Sequence, residues 1–210
     1  IKKCFKYNKH IIVEKPICLS AKELLNIKKM IYKNKKIKFV SNLVLRVNSL
    51  FTKIKSLISS KNIFYIEGDY IWGRKYKLYG WRSKTKNYSL TLGAGIHLID
   101  LIIWLIGKKP TTVSTFGNNI ATNKTVFKRN SLMVYIFKFP GNIIAKVTAN
   151  AAGYYNHFHE LRVFCKNKTI INTPGEKVIY SKKNEKKLII KKLNGSYPDK
   201  INRKKLIRNF

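Results

Sequence analysis

The spacing of apolar and polar positions divides the chain into two unlike parts. Through about residue 58, short apolar runs alternate with longer amphipathic ones. The pattern predicts a strand over 10–13 that stops at Glu14-Lys15-Pro16, a helix from 21 to about 32, a strand over 37–40 and a second helix near 49–58. Ser20 and Glu23 form an S-x-x-E capping box ahead of the first helix, a serine oxygen and a carboxylate placed to satisfy backbone N–H groups that the helix start leaves open. Strand, helix, strand, helix is the signature of a parallel α/β layer. Two such units are too few to close a doubly wound sheet with both faces covered.

From residue 63 the pattern changes. A long strand over 63–72 leads into a polar loop rich in Tyr and Lys, and then into a run over 93–107 that is apolar nearly all round except for His97 and Asp100. A helix apolar on every side is a buried helix. Three residues of separation put His97 and Asp100 on one face, and the cost of burying an ionisable pair alone predicts that they look into a cleft or a polar network. Gly107 fits a left-handed stop, with Pro110 beyond it. Beyond 111 the chain reads as strands over 112–116, 132–139, 143–150, 160–165, 169–172, 177–180 and 188–192, with Pro140-Gly141-Asn142 as a hairpin turn and the lysine-rich 182–187 as a solvated turn. A helix-like segment over 201–210 closes the sequence. The expected fold class is α+β: a partial Rossmann-like parallel unit in residues 1–45, followed over 46–210 by a mostly antiparallel, open-faced sheet packed against helices.

Composition narrows the function classes. The chain has 210 residues, 45% of them hydrophobic, enough for a sizeable core. Lys and Arg number 44 against 9 Asp and Glu, a formal charge of +35, which by itself points to a nucleic-acid or anionic-surface partner. The basic residues are scattered, mostly Lys, and mixed with many Asn and Ile, as an AT-rich coding sequence imposes on any surface. No RNA-recognition, helix-turn-helix or zinc-finger pattern accompanies them, which argues against nucleic acid. Cys4, Cys18 and Cys165 are odd in number and far apart, so the expectation is a reducing, cytoplasmic compartment and no zinc site. His157 and His159 share a strand face, but no Cys or carboxylate cluster completes a metal site, and none is expected. No apolar run reaches the roughly 20 residues of a membrane span. Ile1 opens without an initiator Met, an apolar leader or a cleavage site, and further sequence upstream is expected.

Two motifs carry a family resemblance. His-Ile-Ile-Val-Glu-Lys-Pro-Ile-Cys-Leu-Ser at 10–20 is similar to the Glu-Lys-Pro signature of the glucose-fructose oxidoreductase, inositol dehydrogenase and rhizopine-catabolism (Gfo/Idh/MocA) family. Gly-Ile-His-Leu-Ile-Asp-Leu-Ile-Ile-Trp-Leu-Ile-Gly at 95–107 resembles the family's G-x-H-x-x-D-x-x-x-W-L-x-G helix. Trp81-Arg82 and Tyr197-Pro198-Asp199 fit the same template. The resemblance implies a dehydrogenase that moves a hydride between NAD or NADP and a hydroxyl carbon of a sugar or nucleotide sugar.

Carried over, Glu14, Lys15 and Pro16 lie near the nicotinamide, and Lys15 and His97 are the acid/base pair. Loss of a hydride from an alcohol requires loss of the hydroxyl proton, and an amine can accept it or stabilise the alkoxide. Imidazole titrates near neutrality and suits a proton relay. Trp81 and Arg82 are candidate substrate-binding residues, the arginine for a phosphate or carboxylate, and packing alone is an equal reading. Arg46 falls where the family often places a basic residue near the cleft. Asp100 either orients His97 or bonds elsewhere in the fold. Lys15-Pro16 is a candidate cis peptide. Many family members have Asp four residues before the histidine, where this chain has Gly93. Either Lys15 and His97 suffice, as in branches acting on nucleotide sugars, or the chemistry differs.

Gly93-Ala-Gly95 imitates the start of a G-x-G-x-x-G phosphate loop, but its third position is Leu98, and no such fingerprint occurs in the 210 residues. The expectation is an internal segment of a larger enzyme, inactive by itself. Met133, Tyr135 and Phe137 alternate with Leu132, Val134 and Ile136, so both faces of that strand are apolar, and a homo-oligomer through the open sheet face is expected. The competing readings are a non-catalytic relative that serves as an assembly module and a basic nucleic-acid-binding module.

Overall fold

The computed structural model describes residues 1–172, the backbone of 178–184 and 187–193, and residues 202 and 204–208. The first part is a small parallel layer. A short helix α1 (Lys2–Lys6) leads to strand β1 (Ile11–Val13), helix α2 (Ala21–Lys33) and strand β2 (Phe39–Ser41), and β1 pairs with β2 in parallel. Phe5, Ile11 and Ile37 form its core, distinct from the main one. The capping box works as the sequence predicts: Ser20 Oγ accepts from the Glu23 amide at 3.2 Å, and the Glu23 carboxylate accepts from the Leu19 amide at 2.9 Å.

A 3-10 turn (Val44–Val47) and helix α3 (Ser49–Leu57) connect this layer to an eight-stranded sheet. Asn48 caps α3, its side-chain oxygen accepting from the amides of Leu50 and Phe51. The sheet's strands in chain order are β3 (Ile63–Ile71), β4 (Thr112–Asn118), β5 (Leu132–Phe139), β6 (Ile143–Asn150), β7 (Phe158–Cys165), β8 (Lys168–Asn172), β9 (Val178–Asn184) and β10 (Lys187–Leu193). Their spatial order is β10-β9-β8-β7-β3-β6-β5-β4. Every pairing is antiparallel except β3 with β6. The expected hairpin turn joins β5 to β6, with Gly141 and Asn142 both at positive φ. The patch read as a solvated turn over 182–187 is instead strand on both sides, since β9 runs through residue 184 and β10 begins at 187. Strand propensity of the flanking Ile and Val residues outweighs the lysines there. Tyr197, Pro198 and Asp199 lie outside the described residues, and helix α6 (Lys204–Arg208) falls within the expected terminal segment.

Helix α4 (Trp81–Lys84) sits in the polar loop, and helix α5 (Ile96–Ile106) packs across β3 and β6. The helix α5 residues Leu98, Leu101, Ile102, Leu105 and Ile106 are all at most 1% exposed, meeting Ile66, Ala145, Val147 and Val163 of the sheet in one core. Gly68 leaves room for Leu98, whose methyl would stand 3.3 Å from a Cβ built on it. Gly107 ends α5 at φ 73°, as expected of a left-handed stop. Lys55 of α3 donates to the carbonyls of Trp104 and Leu105, both at 2.9 Å, which satisfies the open C-terminal end of the buried helix.

The sheet face away from α5 carries an ion-pair network. Glu67 pairs with Arg162 at 2.8 Å and Lys146 at 3.2 Å, Asp69 lies 3.6 Å from Lys146 and accepts from Thr148, and Arg162 also bonds Glu160. On that side the apolar character of β5 continues onto β4 at Phe116 but gives way to charge at β6 and β3. Among the described residues no helix is long and apolar enough to cross a membrane.

Candidate active site

The end of β1 and the start of α5 meet. The chain leaves β1 through a cis Lys15–Pro16 bond, and Lys15 Nζ donates to the carbonyl of Gly93 at 2.6 Å. That carbonyl is available because Thr91–Gly95 forms a π-type turn ahead of α5, a distortion that shifts the regular helical bonding pattern. Burial, with Arg82 nearby, lowers the Lys15 amine from 10.5 to about 8, and Glu14 only partly opposes this. Glu14 itself is exposed and accepts from Asn42 at the end of β2. Pro16 lines a cavity of about 610 Å³ together with Ile1, Cys18, Glu23, Ile27 and Met30.

His97 follows Gly93 by one helical turn and faces the sheet. There it meets His159 of β7, ring centres 5.7 Å apart and nearly perpendicular, and Tyr70 of β3 at 6.3 Å. Tyr70 stacks on His159 at 4.1 Å, and His157 approaches both edge-on. His159 is 5% exposed, and burial pushes its titration well below the usual imidazole range, helped by the neighbouring His97, His157 and Lys15. Lys15 and His97 therefore stand on one side of the molecule, both acting on the same imidazole. Burial raises the Tyr70 phenol against the pull of Arg74 and Arg82. Among the described residues no group of three or more His, Cys, Asp or Glu is arranged to hold a metal ion.

Asp100 looks elsewhere. Arg46 grips it with two bonds, Nε to Oδ2 at 2.8 Å and Nη2 to Oδ1 at 2.5 Å, tying the 3-10 turn to α5. Of the two readings of Asp100 the structural one fits, and Arg46 is committed to that pair.

Arg82 lies between two indoles, 5.1 Å from the Trp72 ring and 4.3 Å from the Trp81 ring, with one N–H on the Lys77 carbonyl at 3.3 Å. Trp81 is 58% exposed, so only its inner face is covered. Arg129 fixes the loop from outside by donating to the carbonyls of Ser83, Thr85 and Lys86 at 2.8–3.2 Å. Sequence pattern missed Tyr70, Tyr88 and the Gly93 carbonyl as site groups. The alternation of His157 and His159 was visible, but not that β7 pairs with β3 and so brings His159 to Tyr70.

Comparison with known proteins bears on the family and the fold. Residues 51–171 match the GFO/IDH/MocA C-terminal domain. Among solved structures, UDP-N-acetylglucosamine 3-dehydrogenase GnnA from Acidithiobacillus ferrooxidans is similar at 12% identity and a TM-score of 0.77, over 100% of this chain and 65% of that one. Myo-inositol 2-dehydrogenase from Lactobacillus plantarum is similar at 18% identity and a TM-score of 0.78, over 98% and 64%. Scyllo-inositol dehydrogenase from Lactobacillus casei, solved with NAD(H) and scyllo-inositol, gives 19% identity and 0.75, over 99% and 63%. This chain thus spans a little under two thirds of the length of these structures. No individually curated protein matches its sequence. With more than half of its residues inside the family's domain and the α+β fold in common, the chain belongs to the Gfo/Idh/MocA family.

Proposed function

We propose that the protein containing this chain is an NAD(P)-dependent oxidoreductase acting on a hydroxyl carbon of a sugar or nucleotide sugar. The observation that carries this reading is the Lys15 amine, held on Gly93 at the head of the buried helix and lowered to about 8. One of its three hydrogens is on that carbonyl, leaving the others for a ligand. A nicotinamide, when bound, supplies the hydride acceptor. In its neutral form Lys15 Nζ takes the hydroxyl proton as the carbon loses its hydride, and the carbonyl product forms. An amine with a pKa near the working pH is well matched to that transfer. His97 is proposed as the second group, one helical turn on, to pass the proton onward. Glu14 and Pro16 are proposed to flank the nicotinamide, with Glu14 moderating the field on Lys15. Trp81 and Arg82 are proposed to form the outer wall toward the substrate.

Residues 1–45 are proposed to belong to the dinucleotide-binding domain and 46–210 to the substrate domain, which the parallel β1–β2 pair and the family match from residue 51 support. Without a G-x-G-x-x-G fingerprint, residues 1–210 taken alone are expected to present a half-site and to turn nothing over, because a cofactor that is not clamped forfeits the orientation worth roughly 7–11 kcal/mol of barrier. We further propose a homo-oligomer through the sheet face away from α5, where Phe116 is 67% and Ile136 37% exposed, in a cytoplasmic protein.

The test is turnover by the protein expressed from its complete coding sequence, assayed with UDP-N-acetylglucosamine, myo-inositol and scyllo-inositol against NAD⁺ and NADP⁺. Reduction of either cofactor with one of these supports the reading. Failure to bind NAD(H) or NADP(H) in a fluorescence titration overturns it in favour of a non-catalytic assembly module. Steep, salt-sensitive binding to duplex DNA with no cofactor binding would favour the nucleic-acid reading. Light scattering at micromolar concentration tests the oligomer, and a monomer contradicts it.

A further inference from the structure

One polar group at this site has no part in the chemistry above. Tyr88 is 3% exposed, and its ring is fixed edge-on by Trp81 at 5.7 Å and Phe127 at 6.1 Å. Its hydroxyl is directed at the Cα of Gly93: a Cβ built there would lie 2.0 Å from Tyr88 Oη and 2.5 Å from its Cζ. The phenol therefore occupies the space from which any other side chain at 93 would grow. The carbonyl of the same glycine receives the Lys15 amine at 2.6 Å, and His97 follows one turn later. The hydroxyl stands where a side chain on that turn would have to act.

Its bonding is the second observation. Arg82 is the described group that bonds Tyr88 Oη, outside strict hydrogen-bonding geometry, and a guanidinium only donates, so the phenol's own hydrogen has no acceptor among the described residues. Arg82 lies beside it and favours the phenolate, but burial is the larger effect and keeps the hydroxyl protonated, able both to donate and to accept. Buried tyrosine hydroxyls ordinarily have a partner. One whose hydrogen has no acceptor among the described residues, next to the amine on Gly93, is a feature that a ligand oxygen completes.

We propose that the Tyr88 hydroxyl is a substrate-binding group of this site, standing in for the side chain that Gly93 lacks and hydrogen-bonding a sugar hydroxyl at the Lys15 amine. This rests on the dehydrogenase reading above. It also accounts for the departure at 93: glycine is required there because tyrosine is at 88.

The test uses Y88F, G93S, Y88L and Y88L/G93S in the protein expressed from its complete coding sequence. Among the described residues the Tyr88 hydroxyl is bonded by Arg82 alone, so Y88F should melt close to wild type. Its kcat/KM, with the sugar of the panel that turns over, should fall about 10-fold to 100-fold, the range for a lost hydrogen bond between a ligand and a charged or buried site. The shared space is read without any activity. G93S should lower the melting temperature in wild type and lower it less in the Y88L background, since leucine ends short of residue 93.

A Y88F enzyme with wild-type kcat and KM overturns the proposal, as does a Y88F protein that melts several degrees lower with unchanged kinetics, which would make the hydroxyl structural. Equal cost of G93S in both backgrounds overturns the shared space. A wild-type protein that binds neither NAD(H) nor NADP(H) overturns the dehydrogenase reading, and the role of Tyr88 with it, while the melting comparison still decides the packing.

Discussion

Replacing Lys15 by Met gives a measurable signature of the buried amine. Methionine keeps the length of the stem and removes the charge. Burial and Arg82 lower the folded-state pKa from 10.5 to about 8, so between those values the unfolded chain binds more protons than the folded one. Stability then rises with pH across that window. The penalty for holding the ammonium in the site is fully present below about pH 8 and is lost as pH climbs toward 10.5. The complete shift corresponds to about 3 kcal/mol, at 1.36 kcal/mol per unit. Integrated over the accessible range, wild type should gain on K15M by about 1.4 kcal/mol between pH 7 and 9 and by about 2.5 kcal/mol between pH 7 and 10. The other lysines and tyrosines titrate in both proteins and cancel in the difference. The absolute offset at pH 7 is less informative, because K15M also strips the Gly93 carbonyl of its donor. Urea unfolding of both proteins at four or five pH values reads the difference directly. A gap that stays flat from pH 7 to 10 would mean that Lys15 titrates like a solvated surface lysine, and the reasoning about its role would fail.

Other consequences follow from the packing around α5. Leu98→Ala, at a position 0% exposed between helix and sheet, should cost about 2–5 kcal/mol by urea unfolding, and a cost under 1 kcal/mol would show that the helix is not seated as described. Arg46→Ala leaves the Asp100 carboxylate, with its side chain 14% exposed, without its bidentate partner, so a loss of about 1–3 kcal/mol is expected. Most of that cost should be absent in a D100N background, and additive single-mutant effects would argue that the pair is not coupled. Gly107→Ala meets no neighbour within 4 Å and should cost about 1–2 kcal/mol from its left-handed backbone alone, read as a lower melting temperature.

Local patterns carried much of the fold. Strands β5 and β6 fall over the residues that alternation and the Pro-Gly-Asn turn predict, and α2 begins at the Ser20 box. Those features depend on neighbours a few residues away. The parallel pairing of β3 with β6 joins residues about eighty positions apart and leaves no periodic trace. The same holds for the Arg46–Asp100 pair and for Lys55 on the last carbonyls of α5. At the site, Lys15 and His97 were legible because each sits in a motif. Tyr88 was not, since its role depends on the side chain missing five residues later and on a turn that folds it back. The ion pairs on the outer sheet face were equally hidden: Glu67, Lys146 and Arg162 belong to three different strands, each ordinary by itself.

The central claim is that the Lys15 amine moves the substrate proton in a nicotinamide-dependent oxidation. Steady-state reduction of NAD⁺ or NADP⁺ by wild type and by K15M, in the protein expressed from its complete coding sequence, tests it most directly. The account predicts that wild type turns over a sugar of the panel with an acid limb near pH 8, and that K15M loses roughly 100-fold or more in kcat with the limb gone. A K15M enzyme that keeps the wild-type rate and pH profile would contradict it.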